Sequence, residues 1–365
     1  MPPLPRAIGV ALDLAGCPNR CRHCYLGNRP NGRLSTDVLR QVAGAFRQWR
    51  RSGEDKPYFT QVDVSSWYRE PDYSDDYAAL HDLERELSRR APRRYELLSI
   101  WRLARDSDYA LWAATLGPKV CQITFFGGEK VTDWFCRRRG AWNDNLTATE
   151  RLLAVGMIPR WQIILTRKGL PDLAAISAVA DEMCLEKRAA LLGARFDVFC
   201  NLPGPDGEAF DIEDMRLEES DLAYIPAKLM ESTRTHFGDV NWRTEADIVA
   251  GVIAGGVIAP FVPDTTWFLV NADIDVFSNY GDLTRGWRLG NFGRDPLSGI
   301  LDKFEGARTP ALHAAFDVPT LELARRFGRR DSRFLYASGD LKARWVRMYA
   351  DAEVAASKAK TGKRT

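Results

Sequence analysis

The chain has 365 residues, of which 45% are apolar, and its 51 Lys and Arg nearly balance its 49 Asp and Glu. This is enough sequence to bury a large core and carry a smaller appendage, and so even a charge balance excludes recruitment of nucleic acid or an anionic membrane by net field. No apolar run is long enough to span a bilayer and no signal-peptide core precedes the first strand, so the seven cysteines point to a reducing, cytoplasmic setting rather than to a disulfide framework.

Residues 8–14 form an apolar run that reads as a buried strand. It leads straight into Cys17-Pro18-Asn19-Arg20-Cys21-Arg22-His23-Cys24-Tyr25. Ser35 offers an N-cap to a helix reaching about residue 51, with Leu39, Val42, Ala43 and Phe46 on one face. A strand over 58–64 ends in Tyr68-Arg69-Glu70-Pro71. A helix over 77–90 and a strand over 95–101 follow, then a helix over 106–116 stopped by Gly117-Pro118. The strand over 120–126 runs into Gly127-Gly128-Glu129. Further on come a helix over 146–155, a strand over 160–166, a helix over 173–187, a strand over 195–200 and a turn over 202–207. Alternation of this kind predicts an α/β fold with parallel strands. Beyond residue 215 the rhythm fades into a helix near 244–256, short strands between 267 and 292, and a polar, basic tail over 357–365 that reads as disordered.

Three cysteines spaced C-x3-C-x2-C on one loop can hold three irons of a [4Fe–4S] cube, leaving the fourth iron open to a ligand that is not protein. The competing use of the same loop is a zinc site completed by His23. The spacing, its place behind the first strand and the aromatic Tyr25 resemble the signature of the radical S-adenosylmethionine (radical SAM) superfamily. The resemblance implies a partial (β/α)6 TIM barrel over residues 1–215, with Cys17, Cys21 and Cys24 as cluster ligands and Tyr25 beside the cofactor. It implies one [4Fe–4S] cluster and S-adenosylmethionine as cofactors, and flavodoxin or ferredoxin as electron donor.

Members of that family carry Gly-Gly-Glu-Pro at the end of the second strand, where the glutamate holds the cofactor's amino group. The literal Gly127-Gly128-Glu129 falls on the fourth strand in chain order. Glu70 of Tyr68-Arg69-Glu70-Pro71 is therefore the expected amino-group ligand, with Glu129 a second candidate. By the same resemblance Thr124 is a ribose contact and Arg139 a partner for the cofactor carboxylate. Cys200, at the end of the sixth strand, and Cys136, in the loop after the fourth, are candidate hydrogen-atom donors to a substrate radical.

Residues 216–310 resemble the SPASM or Twitch extension of such enzymes, expected here as a small α+β cap without an auxiliary cluster, since no cysteine follows Cys200. Trp267, Tyr280 and Trp287 are candidates for packing on substrate there. Residues 311–365 are expected to form C-terminal helices and the tail. The resulting expectation is hydrogen abstraction from a small, natural-product-type molecule ending in epimerisation, rearrangement or elimination. The alternatives are modification of a ribosomal peptide or protein, or a non-catalytic iron–sulfur or zinc protein.

Overall fold

The computed structural model describes residues 3–32, 34–92, 96–205 and 207–362. Its first half follows the expected rhythm: β1 (Ala7–Leu12), α1 (Thr36–Gln48), β2 (Gln61–Ser65), α2 (Tyr77–Ser88), α3 (Ile100–Leu103), α4 (Ser107–Ala114), β3 (Val120–Phe125), α5 (Glu129–Cys136), α6 (Ala141–Ala154) and β4 (Ile158–Ile164). Next come α7 (Leu173–Glu182), α8 (Leu185–Leu191), β5 (Asp197–Asn201) and α9 (Ala227–Phe237). The remainder is β6 (Arg243–Thr244), α10 (Glu245–Ile253), β7 (Trp267–Val270), β8 (Asp275–Ser278), β9 (Gly290–Asn291), α11 (Leu297–Glu305), α12 (Pro310–Phe316), α13 (Thr320–Phe327), β10 (Leu335–Tyr336) and α14 (Ser338–Gly362).

The capping chemistry behaves as the residues dictate. Ser35 accepts the Val38 N–H at the start of α1, whose buried face is Leu39, Val42, Ala43 and Phe46. Asp106 accepts the N–H groups of Asp108 and Tyr109 at the start of α4.

Two sheets carry the molecule. One has the order β2-β1-β7-β8-β9 and the other β3-β4-β5. All three pairings among β1–β2, β3–β4 and β4–β5 are parallel, as crossover helices require. Each sheet has its own buried apolar cluster, and a small third cluster around Phe126, Phe135 and Cys136 lies under the cysteine loop.

The strand expected over 95–101 is not a strand. Tyr95 lies outside the described residues. From Glu96 the chain runs beside β3, where the Glu96 carbonyl accepts the Gln122 N–H at 2.8 Å. Ser99 then caps α3 by accepting the Arg102 N–H at 3.1 Å. Arg102 is held in turn by the carbonyls of Asp72 and Tyr73 at 2.8 and 2.7 Å. Local capping ends the extended run after Leu98, and the two sheets meet there without a shared ladder.

Two further differences concern the second half. Residues 267–291, expected as a separate cap, extend the first sheet, because β7 pairs in parallel with β1 and β8 folds back antiparallel on β7. The seam is tight: a Cβ at Gly9 would stand 2.2 Å from the Trp267 ring. Expected disorder over 357–365 gives way to helix as far as Gly362, while Lys363 to Thr365 lie outside the described residues. An Ala-rich stretch with no interior breaker carries α14 outward, and the helix is anchored by fully buried Leu341 and Trp345.

Candidate cofactor site

The cysteine loop leaves β1 in the first sheet and docks on α5 of the second. Each cysteine is pinned through its backbone. Asn31 clamps Cys17 at two points, its Oδ1 accepting the Cys17 N–H at 3.1 Å and its Nδ2 donating to the Cys17 carbonyl at 2.9 Å. Cys21 lies between two bridges to the end of α5, Arg20 N–H to Cys136 O at 3.1 Å and Arg22 N–H to Phe135 O at 2.8 Å. The Cys24 carbonyl accepts the N–H groups of Gly27 and Glu208 at 3.0 and 2.9 Å. Gly207 makes that approach possible: its φ is +57°, and a Cβ there would sit 2.3 Å from the Cys24 carbonyl oxygen.

Behind the loop lies a buried ion pair, Arg69 to Asp13 at 2.7 Å, with side chains only 5% and 3% exposed. Arg69 also donates to the carbonyls of Arg29 and Pro30 at 3.0 and 3.3 Å. Arg69 thus ties the end of β1 to the far end of the cysteine loop. Burial outweighs the Arg69 charge and holds the Asp13 carboxyl above its usual range.

Cys17, Cys21 and Cys24 line one cavity of about 510 Å3 together with Glu70, Thr124 and Trp267. Burial pushes the Cys17 thiol well up and the Cys24 thiol to about 11. The Cys21 thiol is raised first by a hydrogen bond to the Cys136 thiol and then by burial. Glu70 faces the cysteines from the end of β2. Burial lifts its carboxyl to about 7, against the Ser99 hydroxyl that donates to it at 3.0 Å.

Tyr25 lines the same cavity from an exposed position. Thr124 does so from the end of β3, donating to Gln162 Oε1 at 3.3 Å, while Asn145 Nδ2 fixes its carbonyl at 2.8 Å.

Glu129, Arg139 and Cys200 lie apart from the cavity. Glu129 is exposed in the first turn of α5. Its glycines serve packing: the Gly128 N–H donates to Asp172 at 2.7 Å, and a Cβ at Gly127 would meet Val131 at 2.8 Å. Arg139 is exposed. The arginine of that run that turns inward is Arg138, bonded to Asn19 Oδ1 at 2.5 Å and Asp144 at 2.6 Å, and its charge acts on both Glu70 and Cys21. Cys200 is fully buried outside the cavity, its N–H donating to Thr233 of α9 at 2.9 Å and its thiol raised to about 12 by burial. Cys136 lines the cavity.

Of the three C-terminal aromatics, only Trp267 is on the cavity wall, and Tyr280 and Trp287 are core. Sequence reasoning missed Ser99, Arg138 and the Arg69–Asp13 pair. A Ser immediately before a helix start was the readable signal for Ser99; an arginine among three gives none.

The donor set fits an iron–sulfur cluster better than a zinc ion. Among the described residues no three His, Cys, Asp or Glu side chains converge on a single-ion site. His23, the expected fourth zinc ligand, packs its ring on Phe126 at 4.5 Å and is lowered to about 4 by burial. Three thiols sharing a cavity without converging suit a multi-iron group. Two orphaned polar atoms on the wall, His23 Nδ1 and Tyr68 Oη, have no hydrogen-bond partner within the protein, which suits a polar ligand beside that group.

No protein-family model matches this sequence, and no curated protein matches it. Solved structures do. Native anSMEcpe with bound AdoMet shares the fold at a TM-score of 0.51 and 13% identity, over 97% of this chain and 99% of that one. The same protein with bound AdoMet and the Cp18Cys peptide matches at the same values. Streptococcus suis SuiB bound to S-adenosylmethionine matches at 0.43 and 11%, over 82% of this chain and 65% of its own. The chain therefore has the mixed α/β architecture of anSMEcpe. The expectation of a small-molecule substrate is corrected by this likeness, since anSMEcpe was crystallised with a peptide beside AdoMet. No helix among the described residues is long and apolar enough to cross a membrane.

Proposed function

We propose that this chain is a radical SAM enzyme that modifies a peptide or protein. The observation that carries the reading is that Cys17, Cys21, Cys24 and Glu70 line one cavity, in a fold shared with a protein that holds AdoMet and a peptide together. Cys17, Cys21 and Cys24 would hold a [4Fe–4S] cluster. Bound there, the cluster supplies the electron that cleaves S-adenosylmethionine to a 5′-deoxyadenosyl radical, the agent of hydrogen abstraction.

The protein's own part is placement and exclusion of water. Burial raises the Glu70 carboxyl to about 7, and an ammonium beside it would favour its charged form, which suits the amino end of the cofactor methionine. Arg138 does not line the cavity, but its charge acts on Glu70 and Cys21, which favours an anionic group on that side. Thr124, held by Gln162, offers its hydroxyl to the ribose. Trp267 contributes a flat apolar face to the wall, a surface suited to an adenine ring or a peptide side chain.

The test is 5′-deoxyadenosine formation by the reduced, anaerobically reconstituted protein given S-adenosylmethionine, beside the Cys17→Ala, Cys21→Ala, Cys24→Ala triple variant. Product from the native protein and none from the triple variant is expected. A native protein that loads iron and sulfide and binds S-adenosylmethionine, yet forms no 5′-deoxyadenosine with any peptide, would overturn the catalytic reading.

A further inference from the structure

Each cysteine of the loop is tied to the protein by a different partner, and that of Cys24 comes from furthest along the chain. The Cys24 carbonyl accepts one N–H from its own loop, that of Gly27, and one from outside it, that of Glu208, at 3.0 and 2.9 Å. A turn closed on itself does not fix where a cysteine stands, so the second bond sets the place of Cys24. Glu208 adds two contacts of its own. Its Oε1 accepts the Asn28 N–H at 2.9 Å, and its Oε2 pairs with Arg137, just past α5, at 3.3 Å.

What holds residues 207 and 208 lies further on still. The Gly207 N–H donates to Asp282 Oδ2 at 3.2 Å. Asp282 is fully buried, and the same Oδ2 accepts Arg347 Nη1 of α14 at 2.5 Å. Its Oδ1 accepts the N–H and the hydroxyl of Thr284 at 3.0 and 2.5 Å. Arg347 also stands over the Phe210 ring at 5.3 Å, so α14 meets this segment directly as well as through Asp282. A carboxylate so deeply buried needs its counter-ion. Without Arg347 the Asp282 charge is uncompensated, and water must enter at its contact with Gly207 to solvate it.

We propose that Asp282 and Arg347 are positioning residues for Cys24, a brace through which the C-terminal helix sets the third cysteine of the loop. That Cys24 is a cluster ligand rests on the radical SAM reading; the brace itself is a property of the chain with or without a cluster. It acts on one side of the loop only. Cys21 is docked on α5 through Arg20 and Arg22, and Cys17 is clamped by Asn31. Loss of the brace therefore frees one cysteine of three, which weakens a cluster held by all three thiolates.

The experiment measures amide hydrogen exchange, residue by residue, in the full chain purified without cluster, for the native protein, Arg347→Gln, Arg347→Lys and Asp282→Asn. In Arg347→Gln the amides of Gly27, Asn28, Gly207 and Glu208 should exchange about tenfold faster, the effect on local opening of losing one charge-assisted contact. Those of Arg20, Arg22 and β4 should keep their native rates. Arg347→Lys, which retains a charge for Asp282, should fall between the native protein and Arg347→Gln. Asp282→Asn should repeat the Arg347→Gln pattern, and Arg347→Gln decides alone where Asp282→Asn does not fold. After reconstitution, Arg347→Gln should lose iron to a chelator severalfold faster than the native protein. Native exchange at the four amides in the variants would overturn the proposal, as would acceleration shared equally by β4, the mark of a general loss of stability. Faster exchange with iron lost at the native rate would overturn the positioning of Cys24. A native chain that takes up no iron and sulfide would count against the radical SAM reading, while the exchange pattern would still decide on the brace.

Discussion

The two sheets solve the same problem in different ways. The β3-β4-β5 sheet is built from consecutive strands with their crossover helices, so its buried core comes from residues 98–229 with one distant addition, Leu335. The β2-β1-β7-β8-β9 sheet draws β7 from beyond residue 266 to stand beside β1, and its core needs both ends of the sequence. The cysteine loop bridges the two, rooted in the first and docked on the second. The consequence is that damage to the first sheet reaches the loop through its root, while damage within the second reaches it at α5 and at Gly207 and Glu208 after β5.

The largest expected effect tests that root. Arg69→Ala leaves the buried Asp13 carboxyl without its partner, a loss of about 3–5 kcal/mol, read by urea denaturation together with lost iron uptake. Stability unchanged to within 1 kcal/mol would show that the pair does not brace the loop. Gly9→Ala drives a Cβ into the Trp267 ring at the β1–β7 seam and should cost ~1–3 kcal/mol. In the second sheet Cys200→Ala removes one buried sulfur, at about 1 kcal/mol. Its rate of 5′-deoxyadenosine formation should equal that of the native protein, and a collapse of that rate would return Cys200 to the site.

The smallest effect is electrostatic and distant from the loop. Burial pushes the Glu213 carboxyl up, yet Arg216, Tyr336, Arg344 and Arg329 together outweigh it and hold the group below its usual range. A depressed folded-state value adds stability above the ordinary carboxylate pKa and loses it as pH falls through the folded value. The native protein should therefore exceed Glu213→Gln in stability at pH 7 by more than at pH 3, compared by denaturant midpoint. A gap that stays constant across that range would remove Glu213's charge from the account.

The same contrast explains what the sequence made legible. Periodicity and caps gave β1, α1, β3 and β4 because those signals are local. That Cys17, Cys21, Cys24 and Glu70 would share one cavity was legible from the cysteine spacing and from strand order, which favoured Glu70 over the literal Gly127-Gly128-Glu129. The expected third strand failed because one side-chain cap at Ser99 overrides an apolar run. The inward turn of Arg138, the partnership of Arg69 with Asp13 and the insertion of β7 beside β1 depend on contacts between distant segments, which no local pattern encodes.

The place of β7 also bears on how the chain acquires its shape. While the polypeptide is being synthesised, β1 and β2 can pair early, but the other side of β1 has unfilled backbone donors and acceptors until residues 267–270 emerge. Through most of synthesis the nascent chain therefore carries an open strand edge, next to the loop with three thiols. Long-range closure of this kind is slow. A chain interrupted before β7 would present that edge to its neighbours, so full-length synthesis, more than local stability, governs whether this protein stays out of aggregates.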